Sequence, residues 1–260
     1  MWIKLIRDAV IVIGVFALVW YVMYLISSDK KLDNQFFSED QLEKVEEWIS
    51  SEIERSYPPL RENAWEPLLQ EMASRLEKGK PEYSNGLRIV VLDEAQPNAF
   101  ATIGGRIYVF KGIIELCDSP EELYAILAHE FGHIFHNHVE RKILTEFSLA
   151  IILGGMSGGD VLLASEIART LSSGAFSRLQ ERKADEFALD LMKNTGVDPS
   201  YLGIIFRKLK DYSGDPKLQF EMLSTHPDIR KRIQKALEYD KEGLEIIPFK
   251  NSLERTIGAQ

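Results

Sequence analysis

The sequence predicts an α+β fold, predominantly helical, with a small antiparallel sheet and one N-terminal transmembrane helix. Three observations lead there. Ala9 to Ile26 is a run of eighteen uncharged residues. Strong strand signals are confined to the stretch between Leu87 and Phe110. On both sides of that stretch, apolar residues recur at helical intervals.

The uncharged run is just long enough to cross a hydrocarbon core of about 30 Å as a helix. Trp2 at one end and Trp20, Tyr21 and Tyr24 near the other suit the bilayer interfaces. A cleaved signal peptide would have a shorter apolar region followed by a small-x-small site, whereas Tyr24-Leu-Ile-Ser-Ser-Asp-Lys-Lys31 follows here. Lys4 and Arg7 precede the span and Lys30 and Lys31 follow it, so the positive charges nearly balance. The free amine and short leading tail favour the N-terminus inside and the main domain outside. In a bacterium that is the periplasmic side of the inner membrane.

Beyond the span, Ser38-Glu-Asp-Gln41 has capping-box spacing, and Leu42, Val45, Trp48, Ile49 and Ile53 form an apolar stripe that ends at Pro58-Pro59. A second amphipathic helix is expected from about Glu62 to Lys78. Leu87–Leu92 and Arg106–Phe110 read as strands, and Asn98–Ile103 as a shorter one. Ala99–Ile103 and Arg106–Phe110 would pair as a hairpin across Gly104-Gly105. Ser119, Pro120 and Glu122 supply a cap, a first-turn proline and a capping box for a helix with Leu123, Ile126, Leu127 and Ile134 on its buried side.

With 45% hydrophobic and 27% charged residues, the composition is that of a globular protein. A net charge of -9 without a basic stripe argues against a nucleic-acid partner. Cys117 is the only cysteine, which excludes an intrachain disulfide and a cysteine-based zinc site.

His129-Glu-Phe-Gly-His133 carries the chemistry. On a helix the two imidazoles project from one face, about one turn apart, as two nitrogens binding one Zn²⁺ require. Glu130 stands beside the first of them, placed to act as general base toward an attacking water. A catalytic zinc site generally needs a third protein ligand. Position 139 is valine, which removes the metzincin arrangement. His136 is seven residues after His129, a helical rise of about 10.5 Å, too far for one ion; it is expected to line a cleft or face solvent. His138 is a candidate to support a ligand. Downstream, Ser177–Asp185 opens a helix on which Glu181 and Asp185 share a face. A carboxylate there can complete the site, with Asp185 accepting a hydrogen bond from a ligand histidine.

His129–His133 together with Ser177-Arg-x-x-Glu181-x-x-Ala184-Asp185 resembles metallopeptidase family forty-eight, which includes HtpX, BepA, the Oma-type proteases and the CAAX prenyl endopeptidase. Asn98-Ala-Phe-Ala101 with Gly104-Gly105, and Ser224-Thr-His-Pro227 followed by Arg232-Ile233, extend the likeness from about Leu87 to Ile233. The resemblance implies a zincin-like (gluzincin) core, Glu181 as third zinc ligand, Glu130 as general base and Asp185 supporting a ligand histidine. It implies for His226 a place near the active site, stabilising the reaction intermediate or occluding the zinc. Thr225-His226-Pro227 also reads simply as the start of a helix.

The expected organisation is an anchor (1–28), a helical lead-in (29–80), a metallopeptidase domain (81–240) and a C-terminal tail (241–260). Partners expected are the bilayer through residues 9–26, extended or unfolded polypeptides that add to the edge strand Asn98, Ala99, Phe100 and Ala101, and protein adaptors. Relatives with several spans or a tetratricopeptide extension differ from this pattern, so prenylated substrates are not expected. Phe147–Met156 is too short and glycine-rich to cross a bilayer and is expected to form a mobile plug or lid. The competing expectation is a latent zinc-site protein acting as a chaperone or adaptor at the membrane.

Overall fold

The computed structural model describes residues 39–83, 85–155, 161–173, 176–212, 229–251 and 253, with the isolated positions 14 and 21. Apart from positions 14 and 21, the expected membrane span at 9–26 lies outside the described residues, as do the Ser38 cap and Ser224–Pro227 with His226. Among the described residues no helix is long and apolar enough to cross a membrane.

The element order is α1 (Glu39–Ser56), α2 (Glu66–Gly79), β1 (Arg88–Leu92), β2 (Ala99–Ala101), a 3₁₀ turn (Ile103–Gly105), β3 (Arg106–Phe110), α3 (Lys111–Leu116), α4 (Pro120–Phe135), α5 (His138–Gly155), α6 (Val161–Ser173), α7 (Arg178–Asn194), α8 (Ser200–Tyr212) and α9 (Ile229–Leu237). The architecture is predominantly helical around one small sheet, as the sequence predicts. The sheet is mixed rather than antiparallel. β3 lies in the middle, antiparallel to β2 and parallel to β1. Residue alternation tells which face a side chain takes but not which way a neighbouring strand runs, so β1's direction had to come from tertiary packing. The hairpin forms where expected, but β2 ends at Ala101, because Ile103–Gly105 tightens into the turn. Gly104 and Gly105 take φ of 73° and 76°, the left-handed region in which a Cβ is costly.

The central strand explains how the helices are layered. Ile107 and Val109 point into one apolar cluster with α2, α4, α7 and α8. Tyr108 and Phe110 point into a second, with Ile49 and Ile53 of α1 and Ile167, Ala168 and Leu171 of α6. The sheet is therefore covered on both faces, which accounts for the near-continuous apolar run of β3.

Two local expectations are corrected, and the segment expected as a plug takes a definite form. The second helix starts at Glu66 rather than Glu62, with Asn63 Oδ1 accepting the Trp65 N–H just ahead of it. Ser119 forms no side-chain cap, and the other half of the expected capping box is lost because Glu122 turns away to accept the Asp118 N–H and to pair with Lys208 Nζ at 2.7 Å. A tertiary partner here outcompetes a local one. The segment expected as a plug is helical: residues 147–155 are the second half of α5, and Met156 lies outside the described residues.

The C-terminal segment folds back on α2. Arg75 donates to the carbonyls of Ile247 and Pro248 and its guanidinium stands 4.0 Å from the centre of the Phe249 ring. Glu71 accepts the backbone N–H groups of Lys250 and Asn251.

Candidate metal centre

The centre lies where α7 crosses α4. Gly132 makes the crossing close: a Cβ at this position would stand 2.9 Å from the Ala184 Cα, nearer than real contacts allow. With no side chain between the helices, α7 brings Glu181 and Asp185 against the imidazoles one turn away on α4. Ser177 begins α7 with a capping box, its hydroxyl accepting the Gln180 N–H and the Gln180 side chain accepting the Ser177 N–H. Glu181 is therefore in the first turn of a well-anchored helix.

His129, His133 and Glu181 each offer a ligand atom, all within 4.8 Å of one another, and all three side chains are buried. His129 Nε2 and His133 Nε2 are 3.2 Å apart. Glu181 Oε2 is 3.5 Å from His129 Nε2, and Glu181 Oε1 is 3.3 Å from His133 Nε2. Two atoms held 2.0–2.1 Å from a tetrahedral zinc stand roughly 3.3–3.4 Å apart. The three separations lie close to that spacing, with the carboxylate meeting each imidazole through a different oxygen.

The far nitrogens of the imidazoles are held as well. His129 Nδ1 is 3.0 Å from Asp185 Oδ1, and His133 Nδ1 is 3.1 Å from His138 Nδ1. Burial, with His136 and Lys183 nearby, drives the His138 pKa down to about 3. Its ring is therefore neutral and able to accept the His133 Nδ1–H, which turns Nε2 of His133 toward the centre. Asn137 takes the left-handed conformation, φ 55°, after α4 ends, and this break returns His138 to His133. His136 neither points into the site nor stands free in solvent; it is half-buried and stacks on the His138 ring at 5.4 Å.

Glu130 is buried beside the cluster, and its Oε2 accepts the Ala101 N–H at 3.0 Å. Phe176 lies over His133, with ring centres 4.0 Å apart.

Arg232, from α9, is the major participant that sequence reasoning did not assign. It makes a bidentate pair with Asp185 at 2.7 and 2.8 Å, places Nη1 2.7 Å from Glu181 Oε2, and covers the Phe206 ring at 4.4 Å. Its only signal was its place in the Ser224–Ile233 stretch. Nothing in spacing connects it to a helix more than forty residues earlier.

Charge provides a further test of the donor set. With neutral imidazoles, the carboxylates of Glu130, Glu181 and Asp185 face one guanidinium, leaving an excess of two negative charges in a buried volume. A divalent cation neutralises that excess. Burial by itself disfavours a charged His129, yet Asp185 and Glu181 outweigh it and raise its pKa to about 9, so without a metal a proton on this ring offsets part of the excess, and a metal would take that proton's place. Two nitrogens and one carboxylate, with ligand atoms within 4.8 Å of one another, fit zinc in number and type.

β2 is at the sheet edge, as the proposed peptide-binding strand should be. Asn98, Ala99, Phe100 and Ala101 are nevertheless all buried, at 4% exposure or less. The end of α6 covers this strand, and Asn98 Nδ2 donates to the Ser172 carbonyl at 3.1 Å.

Comparison with known proteins agrees with this geometry. The profile of Peptidase family M48 matches residues 59–240, more than half of the chain. "Mitochondrial metalloendopeptidase OMA1" of Schizosaccharomyces pombe is 30% identical over 153 residues, covering 57% of this chain and 45% of that protein. "Beta-barrel assembly-enhancing protease" of Yersinia pestis is 26% identical over 180 residues, 63% of this chain and 37% of that protein. "Metalloprotease LoiP" of Escherichia coli is 28% identical over 144 residues, 53% of this chain and 56% of that protein. The matches span only about half or less of these relatives' lengths. With a buried His-His-Glu cluster and a profile match running through it, the chain belongs to peptidase family M48.

Proposed function

We propose that the chain is a zinc-dependent endopeptidase, tethered to a membrane by residues 9–26, that hydrolyses peptide bonds of misfolded or unassembled proteins. The observation that carries this reading is the presence of a buried glutamate, Glu130, beside a three-ligand cluster. A purely structural zinc has no use for an adjacent base.

His129, His133 and Glu181 would hold the ion, which when bound polarises the scissile carbonyl and acidifies water. Glu130 takes a proton from the attacking water and delivers it to the leaving amine. The Ala101 N–H fixes the Glu130 carboxylate in position for both transfers. Asp185 and His138 orient the two imidazoles, and Arg232 holds Glu181 and Asp185 against their mutual repulsion. His226 is proposed to act near the leaving group or to close the site.

An extended substrate would pair with the outward-facing backbone of β2, gaining affinity with little sequence selectivity, as suits unfolded clients. Because α6 covers that edge, substrate entry requires the end of α6 to move aside. The same burial favours a resting, low-activity state as a second reading. The homologues' printed names, metalloendopeptidase and metalloprotease among them, support peptidase activity.

Glu130→Gln is the decisive variant. It should keep one zinc per chain by metal analysis while casein cleavage falls by about 10²–10⁴-fold, the range for loss of a general base. Full cleavage by this variant, or cleavage that survives a zinc chelator, would sink the assignment.

A further inference from the structure

Beyond the metal centre, a pocket with a cavity volume of about 40 Å³ opens between the Gly104–Gly105 turn and the corner joining α4 to α5. By a similar measure a single water needs roughly 10–15 Å³, so the pocket takes a small terminal group with part of its stem. It lies next to the reacting centre along two elements. Its Thr102 follows Ala101, whose N–H holds Glu130, and its Ile134 is one turn after Glu130 on the same face of α4. No residue of α6 contributes to its wall, so the pocket stands clear of the helix that covers β2.

The lining is of two kinds. Ile103, Ile134 and Val139 supply apolar surface, while Glu140 and Asn137 supply polar groups. Thr102 also contributes, and its buried hydroxyl has no hydrogen-bond partner among the described residues. Glu140 forms no ion pair with any described residue, although it is partly buried. Burial raises its pKa more than the charge of neighbouring Arg141 lowers it, a cost that a cation bound in the pocket would offset. Other carboxylates near the turn are already engaged: Glu46 pairs with Arg106, and Glu77 accepts the Leu87 N–H. Glu140 is thus the carboxylate left for a ligand.

We propose that this pocket is a specificity site for a lysine side chain of the polypeptide substrate, within a few residues of the scissile bond. The methylene stem would lie on Ile103, Ile134 and Val139, and the ammonium would meet Glu140 and the Asn137 amide. A leucine would leave Glu140 unpaired, and an acidic residue would be repelled by it. The inference rests on the peptidase reading and adds a sequence preference that backbone pairing with β2 cannot supply.

The test uses the full chain in detergent, carrying Glu130→Gln, and fluorescent eight-residue peptides in which lysine, norleucine or glutamate is placed at each position in turn. Anisotropy should show lysine binding about tenfold more tightly than norleucine at one or two positions. Adding Glu140→Gln should collapse that ratio to below about threefold, and Glu140→Lys should make glutamate the preferred residue there. The norleucine peptide controls within each variant for loss of fold. Equal affinities at every position, or a lysine preference that survives both substitutions, would overturn the proposal. Cleavage of the same peptides by the unsubstituted chain reports on the underlying reading separately. Selective binding with no metal-dependent cleavage removes the peptidase assignment, whereas cleavage indifferent to lysine removes the pocket alone.

Discussion

Arg232 shows how much one side chain can decide at this site. Its guanidinium touches both Glu181 and Asp185, and all three groups are buried. Removing one partner of a buried ion pair typically costs about 3–5 kcal/mol, because the remaining charge is stranded. Arg232→Met should lower stability by about that amount in urea unfolding of the metal-free protein. Arg232→Lys should recover part of it, since charge is kept but the bidentate fork is lost. If Arg232→Met unfolds at the wild-type midpoint, the guanidinium is not balancing the site. At the same scale, His129, His133 and Glu130 were legible in the sequence, because their relation is fixed by one helix. Arg232 was not, because its partners lie on a different element.

At the scale of elements, the centre depends on how near α7 comes to α4. The contact is backbone against backbone at Gly132 and Ala184. Gly132→Val would force the helices apart by more than the tolerance of a zinc ligand set. We expect at least a tenfold loss of zinc affinity in a competition titration, with the α-helical circular dichroism retained. Unchanged affinity would mean that α7 follows the imidazoles by some other constraint. The sequence announced both helices, the first through its proline and apolar stripe and the second through its stripe and carboxylate pair. It did not show that the glycine inside the metal motif serves the crossing, nor that α6 would lie across the edge strand meant for substrate. Those facts depend on which faces meet.

For the whole molecule, the chain is closed on itself by its C-terminal segment. Burial opposes ionisation of Glu71, but the N–H groups of Lys250 and Asn251, the Asn251 side chain and Arg75 outweigh it and lower the pKa. A depressed carboxyl pKa contributes stability that is complete above the unfolded value of about 4.3 and disappears as pH falls through the folded value. The stability difference between wild type and Glu71→Gln should therefore be largest near neutrality and vanish in acid. Urea midpoints measured from about pH 3 to pH 7 check this; a difference independent of pH would show that hydrogen bonding by either side chain suffices. The sequence marked this segment only as a tail. Its anchoring partners, Glu71 and Arg75, lie far upstream on α2 and have no local signature.

The sequence by itself determined what is local or periodic. It specified the two imidazoles and the glutamate between them, the carboxylate pair on a second helix, the hairpin at Gly104-Gly105 and the predominance of helix. Each follows from spacings of three or four residues, from alternation, or from backbone freedom at glycine. Tertiary structure alone decided the parallel pairing of β1, the burial of β2 under α6, the return of His138 to His133, the entry of Arg232 and the Glu140 pocket. These relations join residues whose distance along the chain does not fix their distance in space, and only the packing of apolar faces and the neutralising of buried charge bring them together.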